Sequence, residues 1–307
     1  MTASVRQVAA HLFQIVLNPP IRGFENFISA WLATGPREVF LVDVGPAATV
    51  DQLTDAIAGL GVAHLDYICL THVHIDHAGA VGHLMRRFPN AAVVCHPLGI
   101  PHIVDPARLW QGTLKTLGET GRAYGRMLPV DPACFATDRQ LAAAPFRLID
   151  TPGHSPHHYA IEAGDVLFAG EAGGVCLPLP SGGCYQRPAT PPRFFLETSL
   201  ASIDRLLAIG PERLCYGHFG MQADGPRLLS RHRDQLLFWH RTLAAEMVGG
   251  LPSGEDAADG WVDLLLAKDP LLQGFGRLTV EEQSRERGFL RNSVNGFAGY
   301  LASRADR

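Results

Sequence analysis

The 307 residues are 47% apolar, and only 18% are Asp, Glu, Lys or Arg, against roughly 25% charged in an ordinary soluble domain; such a chain has ample material for a buried core, which argues against disorder. A formal net charge of -4 and a pI near 6.4 lack the basic footprint of a nucleic-acid binder, so no nucleic-acid partner is expected. Histidine, by contrast, is plentiful at 14 residues.

The apolar run from Val8 to Leu17 reads as a first strand, because His11 and Gln14 interrupt it and no small-residue cleavage pattern follows. A cytoplasmic protein is the expectation. Buried strands are predicted at Phe27 to Leu32, Val39 to Val44, Tyr67 to Leu70, Ala92 to Cys95, Phe146 to Ile149, Val166 to Ala169 and Arg213 to Tyr216, all short runs rich in Val, Ile, Leu and Phe. Helical patterns lie between several of them, at Thr49 to Leu60, Gly79 to Phe88 and Phe195 to Ile209, so the class is α/β with helices covering sheets. Residues 100–143 carry helical stretches without strong strands. Residues 173–192, dense in Gly, Pro and Ser, read as one long loop, a length that in a compact domain is commonly functional.

Composition shifts near Gly225-Pro226, where charge rises and the pattern turns helical over Pro226 to Met247, Gly260 to Leu266 and Val280 to Leu301. Two units follow, residues 1–224 and 225–307. No run of about 18 uncharged apolar residues exists, so no membrane span is expected. The cysteines, Cys69, Cys95, Cys134, Cys176, Cys184 and Cys215, form no C-x-x-C pair and read as small buried hydrophobes in a reducing compartment, with no disulfide framework.

Directly after one predicted strand stands Thr71-His72-Val73-His74-Ile75-Asp76-His77. A strand end that turns into a loop can aim alternate side chains at one spot, so His72 and His74 can share a metal while Asp76 and His77 reach a second. Other strand ends carry the same residue types beside glycine: Asp43 before Gly45, His154 after Gly153, Glu171 after Gly170 and His218 after Gly217.

In this order the motifs resemble those of the metallo-β-lactamase superfamily, over residues 10 to 220. The resemblance implies a four-layer αββα sandwich. It also implies that His72, His74 and His154 hold one metal, that Asp76, His77 and His218 hold a second, and that Asp43 orients ligand and loop. Glu171 stands where the family places an Asp that bridges the metals; coordination is implied and bridging stays open. The Cys found here in one class of true β-lactamases is absent, which argues against antibiotic hydrolysis. His74 stands where the flavodiiron branch carries Glu, which argues against oxygen-reducing chemistry.

Local similarity at His157-His158, Glu171 to Gly174, Arg187 to Pro192 and Tyr216 to Gly220 resembles a prokaryotic subgroup close to the glyoxalase II-like hydrolases, which also appends helices. It implies a binuclear metal-dependent hydrolase acting on a small-molecule thioester, lactone or similar carboxylic ester. Two divalent ions, zinc first and iron or manganese as alternatives, would lower the pKa of a shared water from about 15.7 towards 7. Asp76 would shuttle the proton, and His158 would support the ligands. The alternative is a metal-containing binding or sensor protein of the same fold. Tyr185 and Arg187 are candidates for substrate contact or ordinary loop residues. The helical tail, with Arg291, Asn292, Asn295 and Tyr300 near its end, is either a cover over the site or a homodimer interface. Its Gly296 and Gly299 each weaken an isolated helix by roughly 1 kcal/mol, which makes sense where backbones pack closely.

Overall fold

A computed structural model of the chain describes residues 3–36, 38–179, 182–247 and 255–305. The first sheet begins with strands β1 (Ser4–Ala9), β2 (Leu12–Leu17), β3 (Ile28–Thr34) and β4 (Val39–Val42), all antiparallel. Helix α1 (Val50–Gly59) leads to β5 (Tyr67–Cys69), and α2 (Ile75–Ala78) and α3 (Val81–Arg87) lead to β6 (Ala92–Val94). These two strands continue the sheet in parallel, in sequential order. Four helices follow, α4 (Ile100–Val104), α5 (Ala107–Leu117), α6 (Glu119–Tyr124) and α7 (Asp138–Ala143).

The second sheet contains β7 (Arg147–Asp150), β8 (Tyr159–Ala163) and β9 (Val166–Gly170). A hairpin, β10 (Val175–Pro178) and β11 (Cys184–Arg187), and helix α8 (Leu196–Ile209) precede the remaining strands, β12 (Arg213–Tyr216) and β13 (Met221–Ala223). The order across this sheet is β13-β12-β9-β8-β7, with β12 parallel to β9. Helices α9 (Gly225–Met247), α10 (Glu255–Lys268) and α11 (Val280–Ala305) end the chain.

Successive side chains of a strand face opposite ways, and here both faces are apolar. Phe40, Val42, Tyr67 and Cys69 of the first sheet meet Val166, Phe168 and Cys215 of the second in one apolar cluster. Their neighbours Leu41, Ile68, Leu167 and Leu214 turn the other way, into a cluster shared with the helices. The result is the αββα sandwich: two sheets face to face with helices outside. The tail helices join the same outer cluster through Trp239, Val262, Leu265, Val294 and Phe297.

Parallel register brings the chemistry to one edge. Val42 pairs with Cys69, so Asp43 and Thr71 leave the first sheet side by side. Tyr216 pairs with Gly170, so Glu171 and Gly217 leave the second sheet together. The sheets are joined at that edge by Ser29 N–H donating to Gly217 O (3.0 Å) and the Trp31 indole donating to Tyr216 O (3.0 Å).

Three expectations are corrected. The single strand from Val8 to Leu17 is parts of two, β1 and β2, which pair as a hairpin around His11 at φ 61°. The long loop at 173–192 contains the β10–β11 hairpin, because its Gly, Pro and Ser residues fall mostly in the tip and on either side of two short strands; residues 180 and 181 of that tip lie outside the described residues. Cys176 and Cys184, on those neighbouring strands with Cα atoms 5.9 Å apart, form a disulfide, which a search for closely spaced cysteine pairs misses. Cys69, Cys95, Cys134 and Cys215 are free thiols. Among the described residues no helix is long and apolar enough to cross a membrane.

Of the two tail glycines, Gly296 is the one in very close approach: a Cβ there would lie 2.3 Å from Pro191 O, whereas at Gly299 the nearest atom is 3.6 Å away. Gly296→Ala gains helix propensity of about 1 kcal/mol but forces backbone apart, at a cost of about 1–3 kcal/mol. Thermal unfolding should show a lowered Tm; a raised one would mean that α11 gives way freely.

Candidate metal centre

The hydrogen-bonded end of β5 delivers Thr71 and His72 into the interior, where His72 is fully buried. His74 still has extended backbone and caps α2, whose single turn carries Asp76 and His77. The other residues arrive from the second sheet: His154 after β7, Glu171 after β9 and His218 after β12. Gly217 is required beside them, since a Cβ there would stand 2.6 Å from His77 Cε1.

These seven residues form three overlapping groups, His72/His74/His154, His72/His77/Glu171 and Asp76/His77/His218, within each of which the ligand atoms lie within 4.8 Å of one another. Glu171 belongs to the middle group. One of its oxygens is 2.7 Å from His77 Nε2 and 3.2 Å from His218 Nε2; the other faces His72 Nδ1 at 3.6 Å and His158 Nε2 at 3.8 Å. The extra methylene of Glu therefore carries the carboxylate to the centre of the cluster.

The rings are aimed by their outer nitrogens. His77 Nδ1 lies 2.8 Å from Asp43 Oδ2, His154 Nδ1 lies 2.7 Å from Ala189 O and His218 Nδ1 lies 3.1 Å from Phe27 O. These partners fix the ring orientations and turn each Nε2 towards the cluster, where a cation would take the place of any proton shared with Glu171. His154 Nε2 and His74 Nδ1 converge to 2.9 Å. His72 Nε2 and Glu171 Oε2 are buried without a hydrogen-bond partner, a state that costs free energy unless another group satisfies them. Imidazoles and carboxylates converging in this way fit a divalent cation.

Asp43, buried and at φ 55°, also accepts from the Thr71 backbone N–H at 2.8 Å and from the Thr71 hydroxyl. It thus ties the first motif to the second and holds the His77 ring. His158 stands outside the three groups. It faces the Thr151 hydroxyl at 2.8 Å and accepts from the Glu171 backbone N–H at 3.3 Å, so it holds the turn that presents Glu171.

Burial lowers the pKa values of His72, His74 and His154, the first two well below the ordinary imidazole value, which keeps these rings neutral and their lone pairs available. At His77 burial acts in the same direction, but Glu171, Asp43 and Asp76 outweigh it and raise the pKa well above the usual value. Burial would raise Glu171; His77, His72 and His154 outweigh that and hold it well below the usual carboxylate range. The carboxylates thus draw positive charge to the centre.

A cavity of about 480 Å³ opens over the cluster, with His74, Asp76, His154 and His218 at its floor and α5, Pro191, Pro192 and Phe289 in its walls. Of the two loop candidates for substrate contact, Arg187 lines this cavity, but its guanidinium is committed to Glu286. Tyr185 does not line it. Two residues earlier on β11, it is fully buried beside Phe275, and that expectation is corrected. In the tail, Asn292 reaches the cavity, Arg291 pairs with Asp259 and the Tyr300 hydroxyl donates to Glu197. His102 and His157 also line the cavity. Burial and the neighbouring His102 lower the pKa of His157 to about 4. Neither His102 nor the α5 face carries a sequence signal of its own.

Comparison with known proteins agrees with this geometry. The sequence model of the metallo-beta-lactamase superfamily matches residues 23–218. A metallo-beta-lactamase fold-containing protein of Sulfurisphaera tokodaii is 26% identical over 224 residues, covering 70% of this chain and 80% of that protein. A hydroxyacylglutathione hydrolase of Cupriavidus metallidurans is 30% identical over 207 residues, covering 65% of each chain, just under two thirds of that enzyme. The solved structure of a metallo-beta-lactamase family protein from Thermus thermophilus superimposes with a TM-score of 0.65 at 23% identity, covering 97% of this chain and 95% of that one, a likeness of fold that extends through the tail helices.

Proposed function

Since the chain belongs to the metallo-beta-lactamase superfamily, we propose that it is a binuclear metal-dependent hydrolase of a thioester, lactone or similar carboxylic ester. The observation that carries this reading is the overlap of the three ligand groups, with His72 and His77 each shared and Glu171 between them. His72, His74 and His154 would hold one ion and Asp76, His77 and His218 the other, with the Glu171 carboxylate available between them. When bound, such ions supply Lewis acidity and bring the pKa of water from about 15.7 towards 7. Zinc suits these ligands, as do iron and manganese.

The protein's own groups divide the remaining work. Asp43, Ala189 O and Phe27 O fix the ligand rings before substrate arrives, so no reorganisation is needed at the moment of reaction. Asp76 lines the cavity with a partly exposed carboxylate, which takes a proton from the attacking water and returns it to the leaving group. The hydroxyacylglutathione hydrolase relative supports an acyl-transfer substrate. A cytoplasmic setting is part of the same reading; four cysteines remain thiols, as a reducing compartment would keep them, whereas the Cys176–Cys184 disulfide is the feature that opposes it.

Elemental analysis of the purified protein, followed on the same sample by thioesters, lactones and phosphodiesters, tests it. About two equivalents of metal and ester or thioester turnover abolished by chelation are expected. Metal without turnover of any of these would favour the sensor alternative, and full activity in metal-free protein would exclude both.

A further inference from the structure

Helix α5 is amphipathic, yet none of its residues is buried. Leu109, Thr113 and Leu117 face the cavity over the ligand cluster, opposite Pro191, Pro192 and Phe289. Leu109 and Leu117 pack in part against the core, and the apolar surface they leave open to the cavity gains further stabilisation when something apolar fills it.

Cationic groups in this wall are few and unequal. Arg187 is buried and paired with Glu286. Arg108, in the first turn of α5, is exposed, lines the same cavity and has no acidic partner among the described residues. Beyond Thr116, Leu117, Phe289 and Asn292, which both spaces share, lies a second, open groove of about 1090 Å³. Of its arginines, Arg285 is held by Glu286 and Arg291 by Asp259, and the exposed Arg22 shares the wall with Glu281. A polyanionic carrier would find little net positive charge there. One anion, placed at Arg108, is what the wall provides for.

We propose that the cavity takes an acyl substrate with an aliphatic body of medium length and one terminal anionic group. The reacting carbonyl lies at the ligand cluster, the chain runs between α5 and Phe289, and the anion pairs with Arg108. Only the reacting end of this substrate rests on the hydrolase reading.

Binding of product-like acids to the metal-loaded protein tests the cavity without requiring turnover. In isothermal titration, octanoate should bind at least about tenfold tighter than acetate, since each methylene that becomes fully buried can contribute about fourfold. Octanedioate should gain about fivefold more, as one exposed ion pair can supply. Arg108→Ala should erase the advantage of octanedioate over octanoate, and Leu109→Asp should erase that of octanoate over acetate. Equal binding of acetate and octanoate, or a dicarboxylate preference that survives Arg108→Ala, would overturn the proposal. Aryl esters of the same acids separate the two readings. The binding pattern without ester hydrolysis would sink the hydrolase reading and keep this one; hydrolysis indifferent to chain length and charge would do the reverse.

Discussion

Replacing His72 and His74 together by alanine should cost the protein metal and abolish turnover. His72 serves two of the three ligand groups and His74 a third position beside it, so the double variant leaves His154 alone on one side and removes a neighbour of Glu171 on the other. Loss of a partner that merely orients a ligand costs roughly 10–100-fold in affinity or activity; loss of two ligands should exceed that. Metal content should fall from about two equivalents to about one or none. His83→Ala is the control, because His83 lies outside the cluster with its ring 3.3 Å from Arg126 O. Retention of both equivalents in the double variant, with a native unfolding profile, would mean that the ions bind elsewhere.

The second large effect is expected at Glu286, which no ligand touches. Its carboxylate is fully buried between two guanidiniums, accepting from Arg187 through one oxygen and from Arg285 at 2.9 Å through the other. Arg285 lies 4.1 Å over the Phe27 ring, and Phe27 in turn stacks on His218 at 4.2 Å. Glu286→Gln removes the only charge that compensates the two arginines within this buried triad. Breaking a buried pair by removing one partner costs about 3–5 kcal/mol, which for a chain of this size lowers Tm by on the order of 10 °C. An unchanged Tm would show that the triad is solvated or otherwise compensated.

The pH dependence has a definite sign. Burial would raise the pKa of Glu286, but Arg187 and Arg285 outweigh it and hold it below the ordinary value. A carboxylate depressed in the folded state contributes stability that is fully present above its unfolded pKa, about 4.3, and is lost as pH falls through the folded value. The parent protein should therefore lose stability below about pH 4 more steeply than Glu286→Gln, a comparison that denaturant titrations at several pH values can make.

Most of the cluster was legible because its chemistry is compressed. Four ligand-type residues stand within His72 to His77, and the others each follow a short apolar strand and a glycine. Strand positions were legible where both faces are buried, as at β4, β5, β9 and β12, because continuous Val, Ile, Leu and Phe runs mark them. What stayed hidden has other causes. The carbonyls of Ala189 and Phe27 that aim His154 and His218 are backbone atoms and carry no residue-type signal. The β10–β11 strands are four residues each, and the turn residues between them dominate the local composition. The bond between Arg187 and Glu286 spans 99 positions, a pairing that only the folded chain reveals. Likewise α5 reads as an ordinary surface helix, since its apolar residues are only half-buried, packing against the core at one side and lining the cavity at the other.

Helix α11 grips the segment that holds His154. Glu286 is bonded to Arg187, the Thr190 hydroxyl donates to Ser293 O at 2.9 Å, and Gly296 lies against Pro191; between these contacts is Ala189, whose carbonyl receives the His154 ring. All seven ligand residues have been polymerised by residue 218, whereas the brace for one of them begins at residue 280. On the ribosome, then, the ligands emerge well before the helix that locks His154 in place. A chain cut short before α11 would therefore carry all seven candidate ligand residues and lose the contacts that brace Ala189 and, through it, the His154 ring.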